Sequence, residues 1–213
     1  MSELQALSAP SLEPCGERLP RGNTRVGGAM AALLQTGRFR GTSRVVAMEW
    51  GVRPSWIDTE LSAARAEKYT ADRPTWWSGF RRCAVPARGL VLGNGDARLY
   101  VDRVDGLLLW VPGLYRVEDL GPGRSYGERG VLLTLPTHSK GAEGLSNRRP
   151  ALLDAADLGE WLDSTCDRRD LGALLRLPEG FAGVRVRRYT QGIERPNDRG
   201  AGPIIPEQIA LFG

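Results

Sequence analysis

Short apolar runs separated by Gly- and Pro-rich breaks dominate this chain, a pattern of strands and turns more than of long helices. Ser43–Trp50 (SRVVAMEW) reads as a strand, and Pro54 ends it. Gly28–Leu34 is too brief to choose between helix and strand. Phe80–Val91 reads as a strand broken at Pro86, because proline cannot donate into a ladder. Arg98–Val104 and Leu107–Val111 flank Asp105-Gly106, the strongest hairpin signal in the chain. Gly121–Gly130 reads as a loop and Val131–Leu135 as a further strand. Val184–Tyr189 (VRVRRY) alternates apolar and basic residues, which predicts a half-buried strand showing Arg185 and Arg187 on one face. Ser62–Tyr69 reads as a short helix or loop. A helix capped by Asp154 or Asp157 ends near Leu162, and Arg169–Arg176 has helical spacing up to Pro178. The sum predicts an α+β fold: a single compact domain with twisted, mostly antiparallel sheets and a few short helices. Residues 1–20 read as an extended lead-in, 21–206 as the domain and 207–213 as a tail; there is no internal repeat.

Composition narrows the class. A chain of 213 residues buries ~70% of its unfolded surface on folding, enough for a core without staples. No run approaches the ~18 apolar residues of a membrane span. Met1–Pro10 lacks a basic start followed by an apolar stretch, so the expectation is a cytoplasmic protein with no membrane partner. The formal net charge of +4 permits a nucleic-acid partner without requiring one. Lys68 and Lys140 are the only lysines, so arginine carries nearly all of the positive charge; its planar fork suits phosphate, although a GC-rich genome produces the same bias. Cys15, Cys83 and Cys166 show no C-x-x-C spacing, and His138 is the only histidine, so neither a zinc set nor a disulfide framework is expected. No phosphate-loop pattern occurs, and no metal or nucleotide cofactor is expected.

Four ordered stretches carry a family resemblance: Trp50–Trp56 (WGVRPSW), Ala63–Glu67 (AARAE), Arg81–Gly89 (RRCAVPARG) and Leu145–Leu153 (LSNRRPALL) followed by Trp161-Leu162. In this order they resemble the SRAP family, the SOS response-associated peptidase proteins. Arg195–Pro206 is similar to the family's closing segment. The resemblance implies a compact α+β domain with a DNA-binding cleft for single-stranded or abasic DNA. It also implies chemistry by a cysteine directly after the initiator Met, with an Asn, a Glu and a His positioning and shuttling protons. Trp50 matches an aromatic that wedges against bases, and Arg65 and Arg148 match arginines that hold phosphates. Arg81, Arg82 and Arg149 extend that track. Trp56 is read as core packing, and for Arg65 a salt bridge with Glu67 competes with phosphate binding.

The chain departs from the family pattern where the chemistry would sit. Ser2 follows Met1, Ala63 stands at the Asn position, Arg116 at the Glu position and Ser146 at the His position. None of these supplies the missing nucleophile or proton shuttle near neutral pH. The expectation is therefore a DNA-binding protein of the damage response, cytoplasmic and associated with the nucleoid, that does no covalent chemistry. One alternative is an active abasic-site crosslinker or self-processing peptidase, with Cys15 exposed as a new N-terminal thiol after cleavage. Glu118 and His138 are further candidates to restore lost groups. Another alternative is an interaction-only protein. The final segment, Gln208-Ile209-Ala210-Leu211-Phe212, resembles the peptide by which bacterial repair proteins dock on the sliding clamp. Leu211 and Phe212 would serve as apolar anchors and Gln208 as the register-setting contact, unless the segment folds back as a last strand.

Overall fold

A computed structural model describes residues 11–13, 23–24, 26–35, 42–93, 98–119, 126–137, 147–189 and 208–211. The strands in chain order are β1 (Ser11–Glu13), β2 (Asn23–Thr24), β3 (Ala29–Gln35), β4 (Thr42–Trp50), β5 (Ala63–Arg65), β6 (Arg81–Ala87) and β7 (Gly89–Leu92). They continue with β8 (Leu99–Arg103), β9 (Leu109–Asp119), β10 (Tyr126–Pro136), β11 (Arg148–Pro150), β12 (Val184–Arg188) and β13 (Gln208–Leu211). The helices α1 (Ala66–Tyr69) and α2 (Leu158–Leu162) are joined by 3-10 turns at Trp76–Gly79, Ala155–Asp157, Asp170–Leu174 and Pro178–Gly180. Strands dominate and helices are short, as an α+β reading requires.

The sheets are mostly antiparallel, as expected, but mixed, with parallel pairs that the sequence did not announce. β4, β3, β6, β9 and β10 pair in that order, each with its neighbour antiparallel. β10 then returns to β4 and closes a barrel. A ring with an odd number of strands cannot alternate direction all the way round, so the closing pair is parallel, with Arg129 against Glu49 and Gly130 against Trp50. β5 also pairs with β10 in parallel, and β11 adds antiparallel at its other end. The second sheet runs β12-β8-β7-β13-β2.

Alternation along the strands sends the two faces into two cores. Met30, Met48, Trp50, Cys83, Val85, Val111 and Leu132 line the barrel and meet Leu90, Leu92 and Val101 of the second sheet. Leu33, Ala84, Leu114, Val131, Leu133 and Trp161 form the outer core beneath α1 and α2. At Gly130 a Cβ would collide with the Met48 sulfur, so glycine lets the closing strand approach the barrel core.

Several local expectations change. Asp105-Gly106 does form a turn, with Gly106 at φ 72° and the Leu107 N–H donating to Asp105 Oδ1 at 3.0 Å. It is not a hairpin: β8 pairs with β7 and β12, and β9 with β6 and β10, so the turn carries the chain from one sheet to the other. The hairpin is instead β9–β10, and residues read as a loop, Tyr126–Gly130, extend its second strand. Pro86 lies inside β6, tolerated because β3 pairs with β6 only at Cys83 and Ala84 and leaves that side of Pro86 open. Arg169–Arg176 folds as a 3-10 turn over Asp170–Leu174. Asp154 caps the 3-10 turn leading into α2, accepting from the Ala156 N–H at 3.2 Å. No helix among the described residues is long and apolar enough to cross a membrane.

Candidate nucleic-acid interface

The two tryptophans of the WGVRPSW stretch are placed opposite to their reading from sequence. Trp50 is 0% exposed and lines the barrel. Its Nε1–H donates to the Ser62 carbonyl at 2.8 Å. The side chain points inward because Trp50 shares a face with Met48 and Val46, so it cannot wedge against a base. Trp56, read as core, is 60% exposed. It stacks edge-on against Trp76 with centroids 4.8 Å apart. Trp76 in turn contacts Trp77 at 4.6 Å and Phe80 at 4.7 Å. The Arg116 guanidinium lies 4.9 Å from the Trp76 ring and 5.1 Å from Phe80. The result is an exposed Trp56 on an aromatic–arginine cluster at the outer side of the barrel, in which Trp76 and Trp77 are half-buried and Phe80 is buried. The sequence reading overlooked its Trp76-Trp77 pair.

An ion network anchors the loop that presents Trp56. Arg129 Nη2 donates to Glu49 Oε1 and to Glu60 Oε1, both at 2.6 Å. Its Nη1 lies 3.7 Å from Glu118 Oε2, and Glu118 also pairs with Arg116. Glu60 comes from the loop and Glu49 from β4, so Arg129 ties loop to barrel. Gly51, at φ 118°, starts that loop; a Cβ there would stand 2.7 Å from Glu60 Cγ. Glu118 is thus engaged by two arginines.

The predicted arginine track divides. Arg65 and Arg81 are exposed, Arg81 at the barrel rim beside Tyr115. Burial raises the Tyr115 hydroxyl pKa, and a hydrogen bond and charge from Arg81 partly offset that. Arg82 is corrected to a structural role: Nε donates to the Trp161 carbonyl at 2.6 Å, Nη1 to the Tyr69 hydroxyl at 3.2 Å, and Nη2 to the Asp163 carbonyl. Arg149 is only 4% exposed. It lies 3.4 Å from Glu179, and burial removes it from any phosphate track. Arg148 is also drawn inward: Nη1 and Nη2 each reach Glu67 at 2.7 Å, and Nη2 donates to the Thr134 carbonyl at 2.7 Å. Burial pushes the Glu67 carboxyl pKa up, but hydrogen bonds and the charges of Arg148 and Arg65 outweigh it and hold it below the ordinary value. Glu67 therefore pairs with Arg148, and Arg65 contributes only through its charge.

Of the positions singled out in sequence, Ala63 and Arg116 do not meet in one pocket beside Trp50. Ala63 pairs with Leu132 and Arg116 with Arg129. These β10 residues are three apart, so the two side chains leave on opposite faces, separated by ~10 Å along the strand. Ser2, Cys15, His138, Ser146 and Phe212 lie outside the described residues. Burial raises the Cys83 thiol far above its ordinary pKa, which leaves it inert as a nucleophile. Among the described residues no group of three His, Cys, Asp or Glu side chains is placed to hold a metal ion. A cleft of about 550 Å³ between Arg103, Leu107, Trp110, Leu153 and Phe181 contains none of the predicted site residues.

No curated protein matches the chain. Three solved structures share its fold. A protein from Bordetella bronchiseptica aligns with a TM-score of 0.59 and 18% identity, over 76% of this chain and 84% of its own. One from Bacteroides thetaiotaomicron aligns at 0.59 and 17%, over 78% and 75%. A phage-related protein from Bordetella bronchiseptica aligns at 0.57 and 18%, over 78% and 79%. The model of the family described as SOS response associated peptidase (SRAP) matches residues 9–190. With the ordered motifs, the closed barrel and this match over most of its length, the chain belongs to the SRAP family.

Proposed function

We propose that the chain binds single-stranded DNA, including abasic or otherwise damaged strands, within the DNA damage response and without forming a covalent bond to it. Family membership supports the damage-response setting. The observation that carries the binding reading is the exposed Trp56, held on the Trp76–Phe80–Arg116 cluster beneath it. Exposed aromatics accept the face of any base, and each stacked base is worth ~1–3 kcal/mol. Arg65 and Arg81 supply exposed cations for the backbone. The non-covalent part rests on Ala63, which has no polar side-chain atom, and on the buried, inert Cys83 thiol.

Fluorescence anisotropy with an abasic oligonucleotide tests binding: Trp56→Ala weakens affinity about tenfold, the equivalent of ~1.4 kcal/mol. Binding equal to that of the unaltered chain removes Trp56 from the interface. A denaturing gel tests chemistry, with no protein–DNA band expected to survive. A surviving band together with loss of residues 1–14 by intact mass would favour the enzyme reading through Cys15. Absence of any salt-dependent oligonucleotide binding would favour an interaction-only protein.

The clamp-docking segment belongs to the same proposal. Gln208–Leu211 pairs in parallel with β7 and β2, so docking on a sliding clamp requires β13 to leave the sheet. Co-elution with purified clamp, lost on Leu211→Ala with Phe212→Ala, is the expected result; co-elution that survives both changes places docking elsewhere.

A further inference from the structure

The alternation in Val184–Tyr189 places a second basic face on the far side of the second sheet. Val184 and Val186 of β12, with Leu99 and Val101 of β8, turn toward the barrel core. Their neighbours turn away from it. Across the β8–β12 pair, Asp102 stands opposite Arg185, and Tyr100 opposite Arg187. The next row is Arg98 with Tyr189, whose N–H donates to the Arg98 carbonyl at 2.9 Å. Three arginines and two tyrosines thus share one face with a single carboxylate.

That carboxylate orients the arginines. Arg185 Nε and Nη2 reach Asp102 Oδ1 and Oδ2 at 2.8 and 2.6 Å, and Arg187 Nη2 reaches Oδ2 at 3.1 Å. Asp102 is buried while Arg185 and Arg187 remain 47% and 38% exposed. Each guanidinium carries five N–H donors, and Asp102 engages two on Arg185 and one group on Arg187. One negative charge thus holds two positive ones, and a net positive charge faces solvent with donors to spare. Arg187 lies 5.1 Å over the Tyr100 ring and Arg98 5.9 Å over Tyr189, which fixes both further. Gly89 completes the arrangement, since a side chain there would strike the Tyr100 hydroxyl.

We propose that this β8–β12 face is a second binding site for single-stranded nucleic acid, with Arg185 and Arg187 holding backbone phosphates and Tyr189 stacking on a base. Residues two apart on a strand sit ~7 Å apart, a spacing that lets adjacent guanidiniums serve successive phosphates of an extended strand. Fixed cations interleaved with aromatic rings are the combination that follows a flexible polyanion with stackable bases. The site is separate from the Trp56 surface and does not depend on it.

The test is anisotropy with a labelled oligothymidylate long enough to span both surfaces, titrated over a range of salt. Arg185→Gln with Arg187→Gln removes two phosphate contacts. The slope of log affinity against log salt should then flatten by ~1.4, and affinity should fall about 25-fold at ~0.1 M salt. Because this double variant leaves Asp102 buried without its partners, the triple variant adding Asp102→Asn keeps the test readable if the double one unfolds. Tyr189→Ala should weaken binding up to about tenfold with the slope unchanged. Unchanged affinity and slope in the arginine variants would overturn the site. So would retained oligonucleotide binding with loss of binding to anionic lipid vesicles, which assigns the face to a membrane. Trp56→Ala measured in parallel separates the two surfaces: loss only in that variant removes this site, loss only in the arginine variants removes the Trp56 reading, and loss in both supports both.

Discussion

Arg82→Ala separates an arginine that holds the fold from one that grips DNA. The Arg82 guanidinium donates to the carbonyls of Trp161 and Asp163, at the C-terminal end of α2, and to the Tyr69 hydroxyl. The last carbonyls of a helix have no partner within it. Next to Arg82, the Cys83 carbonyl accepts from Trp161 Nε1–H at 2.8 Å. Two successive residues of β6 thus grip the buried end of α2. Removing the guanidinium leaves the Trp161 carbonyl without this donor, at ~1–3 kcal/mol, and takes one of two donors from the Asp163 carbonyl, which keeps the Cys166 N–H at 3.0 Å, at about 1 kcal/mol. Because the two share one rigid geometry, the sum is about 3 kcal/mol. For a chain of this size that lowers Tm by about 6–12 °C. Arg82→Lys should recover less than half, because one ammonium cannot reproduce the planar fork. Circular dichroism melts check the stability, and anisotropy well below Tm should show unchanged oligonucleotide affinity and salt slope. A variant with an unaltered Tm whose salt slope flattens by ~0.7 would refute the structural role and return Arg82 to the phosphate track.

Gly51→Ala places a side chain at a positive φ and against Glu60, so it should cost about 1–3 kcal/mol in chemical denaturation and release the loop carrying Trp56. The lowered Glu67 carboxyl pKa makes the pairing with Arg148 a stabilising contribution that is complete above pH about 4.5 and is lost as pH falls through the lower folded value. Glu67→Gln should therefore reduce the loss of stability as pH falls below about 4.5, and an acid limb that does not change would remove the pair as its source. Cys83 should resist alkylation in the folded chain and react only on unfolding, followed by intact mass; rapid labelling of native protein would contradict its burial.

Much of the strand content was legible because period-two alternation is a local property. Ser43–Trp50 and Val184–Tyr189 announce their faces without knowledge of any partner. The Asp105-Gly106 turn was also visible, since two adjacent residues determine it. Its use as a sheet-to-sheet crossing was not, because that depends on β7 and β12 outcompeting β9 for the edges of β8. The site was harder to read. A tryptophan in WGVRPSW does not reveal whether it faces the barrel or the solvent, and Trp50 and Trp56 fell opposite to expectation.

By itself, the sequence determined a strand-rich α+β domain and, through ordered motifs, its family. Tertiary structure alone decided which arginines remain available. Arg82 meets carbonyls some 80 residues away in the chain, Arg148 meets Glu67 across a similar span, and Arg185 is oriented by a carboxylate on another strand. A guanidinium has the same charge and donors in every setting. Whether it faces solvent or the protein's own oxygens depends on barrel closure and sheet register, which bring distant segments together and leave no mark in the neighbouring residues.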